Sequence, residues 1–432
     1  MEITIGIILL ITYFALIVYA ARGGNLMIGF FIMATIWGLL SIVGGELSWD
    51  GFLNNIMQAG PESWGATAVN VIFGSWFGRI LIDTGIAAKL IRSVTELGGD
   101  DPLIVTILLS IVTGVIFTAT FGAGAVVAIG VIILPILMSL GVSNTLAVSS
   151  YVMSVGSGMY LNGVLFSQMQ SIFPDMAFDT PYIMWGMMAM AVQLAIIGVM
   201  IWFNMRDKKR KRKKAWAMQN PENTLVEGDG IPAIALLTPI IPTTLAILFR
   251  WPTIPAFIVG GLFGLIVTGV LTDFKSASRV IPSTFYDGVL DVASLLGFLF
   301  ILPMFNSISG VAAPFFEPLI GWLIPGTTLG LALFFMVAAP FGLFRGPLTI
   351  FGAGAATVGV LNAVGNFSTP ILFTFMYVPT IIMNLSTGPT QSWNLWALNY
   401  SKVSVKDFIK NNFIWAWAAA IINILLAYMV FA

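Results

Sequence analysis

Long apolar runs separated by short polar stretches dominate the chain. In the first half they cover residues 3–21, 26–43, 66–91 and 182–204. In the second half they cover residues 231–249, 256–271, 289–314 and 413–431. A helix needs about 20 predominantly apolar residues to cross the hydrocarbon core of a bilayer. Each run is close to that length, so the pattern predicts an all-α protein that crosses a membrane many times.

Four further segments are apolar but interrupted. Residues 102–140 and 327–364 are too long for one crossing, and they break at Gly122 and Gly346. Two half-length helices joined by a Gly-rich bend favour a re-entrant hairpin over two full crossings. We call these segments hairpin 1 and hairpin 2. Residues 144–171 and 368–391 carry polar side chains together with Gly or Pro, and we predict helices broken inside the membrane there.

The two halves of the chain repeat this order of elements. The sequence Thr-Gly-Ile-Ala-Ala, starting at Thr84, matches Ser-Gly-Val-Ala-Ala, starting at Ser309. Gly141 follows Gly122 by 19 residues, and Gly365 follows Gly346 by the same number. We therefore predict repeat 1 at residues 1–205, a basic linker at 206–230 and repeat 2 at 231–432. Each repeat has five spans and one hairpin.

The distribution of charge predicts the orientation. Seven consecutive cations occupy residues 208–214, and loops rich in Lys and Arg stay in the cytoplasm. Hairpin 1 then enters from the cytoplasm and hairpin 2 from outside, with both termini outside. Inverted repeats with broken helices are typical of secondary transporters whose binding site lies at the midplane. We predict a multi-pass protein of a bacterial or archaeal cytoplasmic membrane.

Composition narrows the chemistry. The chain is 58% hydrophobic and 9% charged, and it contains no Cys and no His. Thiol catalysis, a Ser-His pair and the usual metal ligands are therefore excluded, and we predict neither an enzyme nor a metal site or organic cofactor. No Walker sequence occurs, which favours H⁺ or Na⁺ as the coupling ion over ATP. The basic run is predicted to be a lipid-facing linker, with no role in binding nucleic acid.

Arg345 is the main candidate for binding a substrate. A guanidinium at membrane depth is retained where it faces a cavity, a partner or a ligand, and its forked donors suit a carboxylate. One unpaired cation fits a monoanion such as a sugar acid or hydroxy acid. The alternative is a structural arginine paired with an acid or with helix-end carbonyls. The other predicted substrate contacts lie at the bends and helix breaks: Gly346, Gly122, Gly124, Asn162, Asn384 and Thr387.

Asp83 is the main candidate for ion coupling. It follows Arg79 by one helical turn, so the two residues also fit a structural ion pair. As a coupling residue it would be a proton carrier for symport, because a carboxyl group in a dry site can load and release a proton. Polar groups at broken helices can coordinate Na⁺, or they can simply join helices. The further ion-coupling candidates are Ser157, Gln168, Asn306 and Gln391.

These motifs resemble the ion transporter superfamily, in particular its gluconate permease, citrate and C4-dicarboxylate carrier groups. The resemblance is carried by the bend at Gly122 with the following Ile-Leu-Pro-Ile, by Ser-Asn-Thr at residues 143–145, by Asn162 and Asn384, and by the bend at Arg345. It implies a homodimer in which a scaffold supports an elevator that carries an organic anion. Dicarboxylate carriers of this superfamily place Ser-Asn-Thr at both hairpin tips, whereas the tips here are Gly-Ala-Gly and Arg-Gly-Pro.

Three other functions remain open. A sodium/proton or other cation antiporter would depend on Asp83 and not on Arg345. A channel is disfavoured by inverted hairpins. An intramembrane aspartyl protease is suggested by Asp-Thr-Gly at residues 83–85 and by Tyr-Asp at 286–287. Such a protease needs two carboxylates that share a proton, and no Gly-x-Gly-Asp partner is present.

Overall fold

The computed structural model describes residues 2–22, 24–99, 101–170, 172–206, 230–249, 251–320, 324–351, 354–365 and 367–432. Every regular element in these ranges is a helix, which confirms the predicted all-α class for them. The α-helices of the first half are α1 (Glu2–Ala21), α2 (Leu26–Val43), α3 (Trp49–Gly51), α4 (Ala59–Ser63), α5 (Gly65–Asp83), α6 (Ile86–Gly98), α7 (Pro102–Ala119), α8 (Ala123–Ser139), α9 (Asn144–Gly158), α10 (Gly163–Gln170) and α11 (Thr180–Arg206).

The second half continues with a 3₁₀ segment at Ala233–Ile240. Its α-helices are α12 (Ile241–Phe249), α13 (Thr253–Val267), α14 (Phe274–Val311), α15 (Ala313–Ile320), α16 (Thr328–Ala338), α17 (Gly354–Val364), α18 (Thr369–Pro379), α19 (Ser392–Tyr400) and α20 (Val405–Phe431). Two π-helical segments, Phe52–Gln58 and Thr380–Leu385, and two further 3₁₀ segments, Met159–Leu161 and Ala339–Arg345, interrupt the α-helices. The linker at 207–229 lies outside the described residues.

Six helical stretches are long and apolar enough to cross a membrane within the described part of the chain. They are α1, the run from α3 to α5, α7, α11, α16 with its following 3₁₀ turn, and α20. Shorter apolar helices lie between them. The chain is therefore a multi-pass membrane protein by length and composition, while the inverted orientation of its halves stays a prediction.

Helices α5 and α14 form the centre of one packing group, with α2 and α13 beside them. Ser75 Oγ donates a hydrogen bond to the Gly288 carbonyl at 2.7 Å, and Trp76 Nε1 donates to Thr284 Oγ1 at 3.0 Å. A Cβ on Gly288 would lie 2.7 Å from the Trp76 Cα, so the small residue permits this close crossing. The second group consists of α7, α9, α11, α18 and α20.

Both predicted hairpins contain a helix break at the expected bend. In hairpin 1, α7 ends at Ala119 and α8 begins at Ala123, and Gly122 between them has φ +106°, a conformation that favours Gly. In hairpin 2, helical structure ends at Arg345 and resumes at α17. Whether either hairpin turns back within a bilayer remains a prediction.

Several helix boundaries differ from the sequence pattern. The apolar run at 66–91 is two helices, because Gly85 adopts a left-handed conformation (φ +74°) and ends α5. The run at 289–314 belongs to a helix that starts much earlier, at Phe274, where Asp273 and Ser276 form a reciprocal capping box.

Candidate functional site

At the broken helix of the first half, side chains of the protein itself form hydrogen bonds with the free backbone groups. We call the non-α residues 159–162 between α9 and α10 break 1. The Asn162 amide donates to the carbonyls of Phe117 and Thr120, both at 2.9 Å, and its oxygen accepts from the Leu165 N–H at 2.9 Å. It thereby caps the end of α7 and the start of α10. Binding a solute through Asn162 would require breaking these bonds.

Two buried tyrosines satisfy other carbonyls at break 1. Tyr377 OH donates to the Met159 carbonyl at 2.9 Å, and Tyr182 OH donates to the Tyr160 carbonyl at 2.5 Å. Neither tyrosine stands out in the sequence pattern. The sequence does show a tyrosine inside an apolar helix in each case. Because a buried hydroxyl group normally has a hydrogen-bond partner, this pattern could have predicted a buried polar contact.

The corresponding break of the second half has unpaired side chains. Break 2 comprises residues 380–391, which include the π-helical turn between α18 and α19. Asn384 and Thr387 are fully buried. Within the described ranges, neither polar atom of the Asn384 amide has a hydrogen-bond partner, and the hydroxyls of Thr387 and Thr390 also lack one. Unpaired buried polar groups are costly, which favours a ligand that completes them.

Hairpin 2 brings Arg345 to break 2. Phe344 and Arg345 adopt left-handed conformations (φ +52° and +59°), a strained arrangement for residues other than Gly. Arg345 Nη2 donates to the Thr390 carbonyl at 3.3 Å. A Cβ on Gly342, one turn earlier, would lie 2.9 Å from the Met383 Cβ, so the backbones of hairpin 2 and break 2 are in close contact.

The Arg345 guanidinium retains donors for a ligand. Its Nε atom is buried and has no hydrogen-bond partner among the described residues. Arg345 makes no ion pair with any of the described residues. The arrangement therefore offers a cation, an amide and two hydroxyls at a helix break, which is the set that a hydroxylated carboxylate requires.

Break 2 touches the last turn of α9, the helix that leads into break 1. A Cβ on Gly156, in the last turn of α9, would lie 3.0 Å from the Ser386 Cβ. Gln193 of α11 spans the contact, because its Nε2 donates to the Met153 carbonyl at 2.8 Å and to Ser386 Oγ at 3.2 Å. Break 2 is thus packed against α9 and α11 in the buried interior.

The tip of hairpin 1 packs between α14 and α19. A Cβ on Gly124 would lie 2.8 Å from the Asp291 carboxyl carbon, and a Cβ on Gly122 would lie 3.6 Å from the Asp291 carbonyl oxygen. Gly122 and Gly124 therefore pack against α14. On the other side of the tip, Phe121 meets Trp393 of α19 edge to face, with ring centroids 6.1 Å apart.

Asp83 belongs to a larger charged cluster. Arg79 Nε lies 2.9 Å from Asp83 Oδ2, and its two terminal nitrogens each lie 3.8 Å from a carboxylate oxygen of α14, on Asp287 and on Asp291. The Arg79–Asp83 pair was predicted, whereas Asp291 was missed because no local pattern connects it with α5. An aspartyl dyad needs two carboxylates that share a proton, but here a guanidinium contacts each acid.

The remaining candidates are dispersed. Ser157 is buried in the last turn of α9, and its hydroxyl donates to the Ser154 carbonyl at 2.7 Å. Gln391, the last residue of break 2, occupies the N-cap position of α19 without a side-chain capping bond, and Gln168 is buried in α10. Asn306 lies on α14, roughly 22 Å along the helix from Asp291 at 1.5 Å per residue. Gly346 follows Arg345, and a Cβ there would overlap the Phe341 carbonyl oxygen.

A surface cleft of about 520 Å³ lies between α10, the start of α11 and the start of α13. The residues that line it include none of the predicted substrate or coupling residues. We therefore locate the candidate site by its unpaired polar groups at break 2 and not by this cleft.

The fold and the broken helices define an all-helical, polytopic membrane protein. The chain is similar in structure to the YdaH transporter of Alcanivorax borkumensis, whose crystal structure is described as having an unusual topology. The TM-score is 0.60 at 14% sequence identity, covering 93% of this chain and 98% of the YdaH chain. No protein-family model matches the sequence, and no curated protein matches it. The likeness establishes a shared fold.

Proposed function

We propose that the protein is a secondary transporter that moves a small organic anion across the cytoplasmic membrane. The observation that carries this proposal is the half-buried cation of hairpin 2 beside the amide and hydroxyls of break 2, which have no partner among the described residues. The fold shared with the YdaH transporter supports transport as the general activity.

Arg345 binds the carboxylate of the substrate in this proposal. Its Nε and one terminal nitrogen form a fork that matches the two carboxylate oxygens. Asn384, Thr387 and Thr390 then contact hydroxyl groups of the substrate, because they offer both donors and acceptors. A single cation favours a monoanion, and the hydroxyl contacts favour a sugar acid or a hydroxy acid. Among the other predicted contacts, Gly346 has no side chain and so lets the backbone approach the substrate closely.

Alternating access would be an elevator movement, in which hairpins and broken helices move against a scaffold. The separate packing of α5 with α14 and of α7 with α9, α11, α18 and α20 supports such a division. Coupling to H⁺ or Na⁺ is part of the proposal, with Asp83 as a candidate proton carrier. We further propose a homodimer with both termini outside and the linker 206–214 in the cytoplasm.

The test measures ligand binding and exchange. Purified protein is screened by thermal shift against hydroxylated carboxylates, with and without Na⁺ at two pH values, and hits are followed by counterflow in proteoliposomes. Each charge-assisted hydrogen bond contributes about 1.5–3 kcal/mol, so Arg345→Gln should raise Kd by at least about 100-fold. Arg345→Lys keeps the charge but loses the fork, and it should raise Kd by about tenfold.

Arg206→Gln is the matched control, because Arg206 stacks on Trp202 and Phe203 at the exposed end of α11 and should not affect binding. Unchanged counterflow in Arg345→Gln would refute the assignment of the anion site.

A sodium/proton or other cation antiporter is the second candidate, and the carboxylates around Arg79 favour it. Cation exchange without any carboxylate, abolished by Asp83→Asn and unaffected by Arg345→Gln, would favour this function over anion transport.

A further inference from the structure

The amino end of α8 rests on a carboxylate. Gly122 caps this 17-residue helix without a side-chain hydrogen bond, and Gly124 in its first turn contacts Asp291 of α14. A helix amino end carries a partial positive charge and attracts an anion. The contact is possible only because Gly124 lacks a side chain, since a Cβ there would overlap Asp291 Oδ1.

The charge around Asp291 is unbalanced. One guanidinium, Arg79, lies within 4 Å of three carboxylates, and its shortest contact is to Asp83. The Asp291 side chain is 20% exposed, compared with 31% for Asp83 and 46% for Asp287. Crowding of like charges and removal from water both favour the neutral form of a carboxyl group. Asp291 combines both conditions most strongly.

Other ionisable groups are few on the elements packed against this cluster. Helix α8 has none in its sequence, and neither have α2, α7, α10, α13 and α17. The others are Glu62 of α4 at the far end of α5, Lys89, Arg92 and Glu96 of α6, Lys275, Arg279 and Tyr286 of α14, and Glu317 of α15. The net charge at the tip of hairpin 1 is therefore determined by Arg79 and the three carboxylates around it.

The tip is also connected to break 2. Phe121 packs on Trp393, and Trp393 Nε1 donates to the Leu385 carbonyl at 3.1 Å. Leu385 follows Asn384 directly. A displacement of the tip would move the residues that present the unpaired amide.

We propose that Asp291 is a latch for hairpin 1. As a carboxylate it holds the amino end of α8 between α5 and α14, and its protonation releases the tip, so that movement of hairpin 1 follows proton uptake. Asp291 is thus a positioning residue that acts through hairpin 1. Its action needs no substrate, and the latch can be tested whether or not Arg345 binds an anion.

The chain has no Cys, so a single introduced thiol can report the position of the tip. Ala123→Cys, at the first position of α8, is labelled with a maleimide in purified detergent-solubilised protein between pH 8 and pH 5.5. Rates are divided by those of Leu97→Cys, an 81% exposed position that corrects for thiol ionisation. The normalised rate should rise by about tenfold at low pH, which corresponds to about 1.4 kcal/mol in the opening equilibrium.

Asp291→Asn should give a high normalised rate at every pH. Asp287→Asn is the matched control, because it removes a charge from the same cluster without touching the tip, and the pH response should persist. Gly124→Ala displaces the tip sterically and should also give a high, pH-independent rate, provided that size-exclusion profiles match the parent. A wild-type pH response in Asp291→Asn, or a tip that responds to Na⁺ and not to pH, would overturn the latch.

Discussion

Asn162 and Asn384 occupy corresponding breaks, yet their amides are in opposite states. Asn162 makes three hydrogen bonds to backbone groups, whereas Asn384 makes none with its side chain in the described part of the chain. Replacing each by Ala removes the same atoms, so the two variants differ mainly in the bonds that are lost. Asn162→Ala should therefore destabilise the protein, and Asn384→Ala should not.

The expected size follows from the three bonds. A side-chain hydrogen bond between membrane helices contributes about 0.6 kcal/mol, which gives about 2 kcal/mol for three. A buried polar group that is left without a partner costs about 1–3 kcal/mol. If water reaches one of the three freed backbone groups and the other two stay dry, the upper estimate is about 6 kcal/mol. Unfolding entropy of about 2.1 cal/mol/K per residue makes 1 kcal/mol worth roughly 1 °C in a chain of 432 residues. Asn162→Ala should lower Tm by about 2–6 °C.

The assay is intrinsic tryptophan fluorescence at one fixed scan rate, since the chain has 13 Trp and irreversible unfolding makes Tm depend on the scan rate. Asn384→Ala should change the ligand-free Tm by less than about 1 °C and should lose most of the shift caused by a bound hydroxy acid. Equal Tm values for the two variants would show that the pairing of the Asn162 amide contributes nothing to stability.

Two further predictions concern single positions. Gly346→Ala should reduce anion counterflow by at least about tenfold, because its Cβ would overlap the Phe341 carbonyl oxygen and shift the backbone that orients Arg345; normal counterflow would show that the bend tolerates this shift. At the start of α14, hydrogen bonds from the Ser276 backbone lower the pKa of Asp273. The ionised carboxylate therefore stabilises the fold above the unfolded pKa near 4, and this contribution disappears as pH falls through the lower folded pKa. The Tm difference between wild type and Asp273→Ala should accordingly be largest at neutral pH and shrink in acid, and a difference independent of pH would contradict the charge-based cap.

The elements of the fold could be predicted from sequence because apolar length and Gly-rich interruptions are local signals. The helix breaks at Gly122 and near Gly346 lie where the pattern indicates. Helix ends were less predictable. The positive φ of Gly85 and the capping box at Asp273 are visible in the sequence only as residue types that are common elsewhere in the chain.

The site was only partly predictable for a different reason. Arg345 and Asn384 stood out as polar residues in apolar segments, and that signal does not depend on their neighbours. The pairing of Arg79 with Asp291 depends on how α5 crosses α14, and no spacing along the chain encodes that crossing. The sequence also could not predict that the Asn162 amide is hydrogen-bonded and the Asn384 amide is not. The carbonyls that accept from Asn162 belong to hairpin 1, which is distant along the chain.

The contact between Gly156 and Ser386 limits how the two halves of the chain can change in evolution. Each half supplies one side of a junction that leaves no room for a Cβ, so neither half has a complete interior alone. The halves are obliged to change together at this junction.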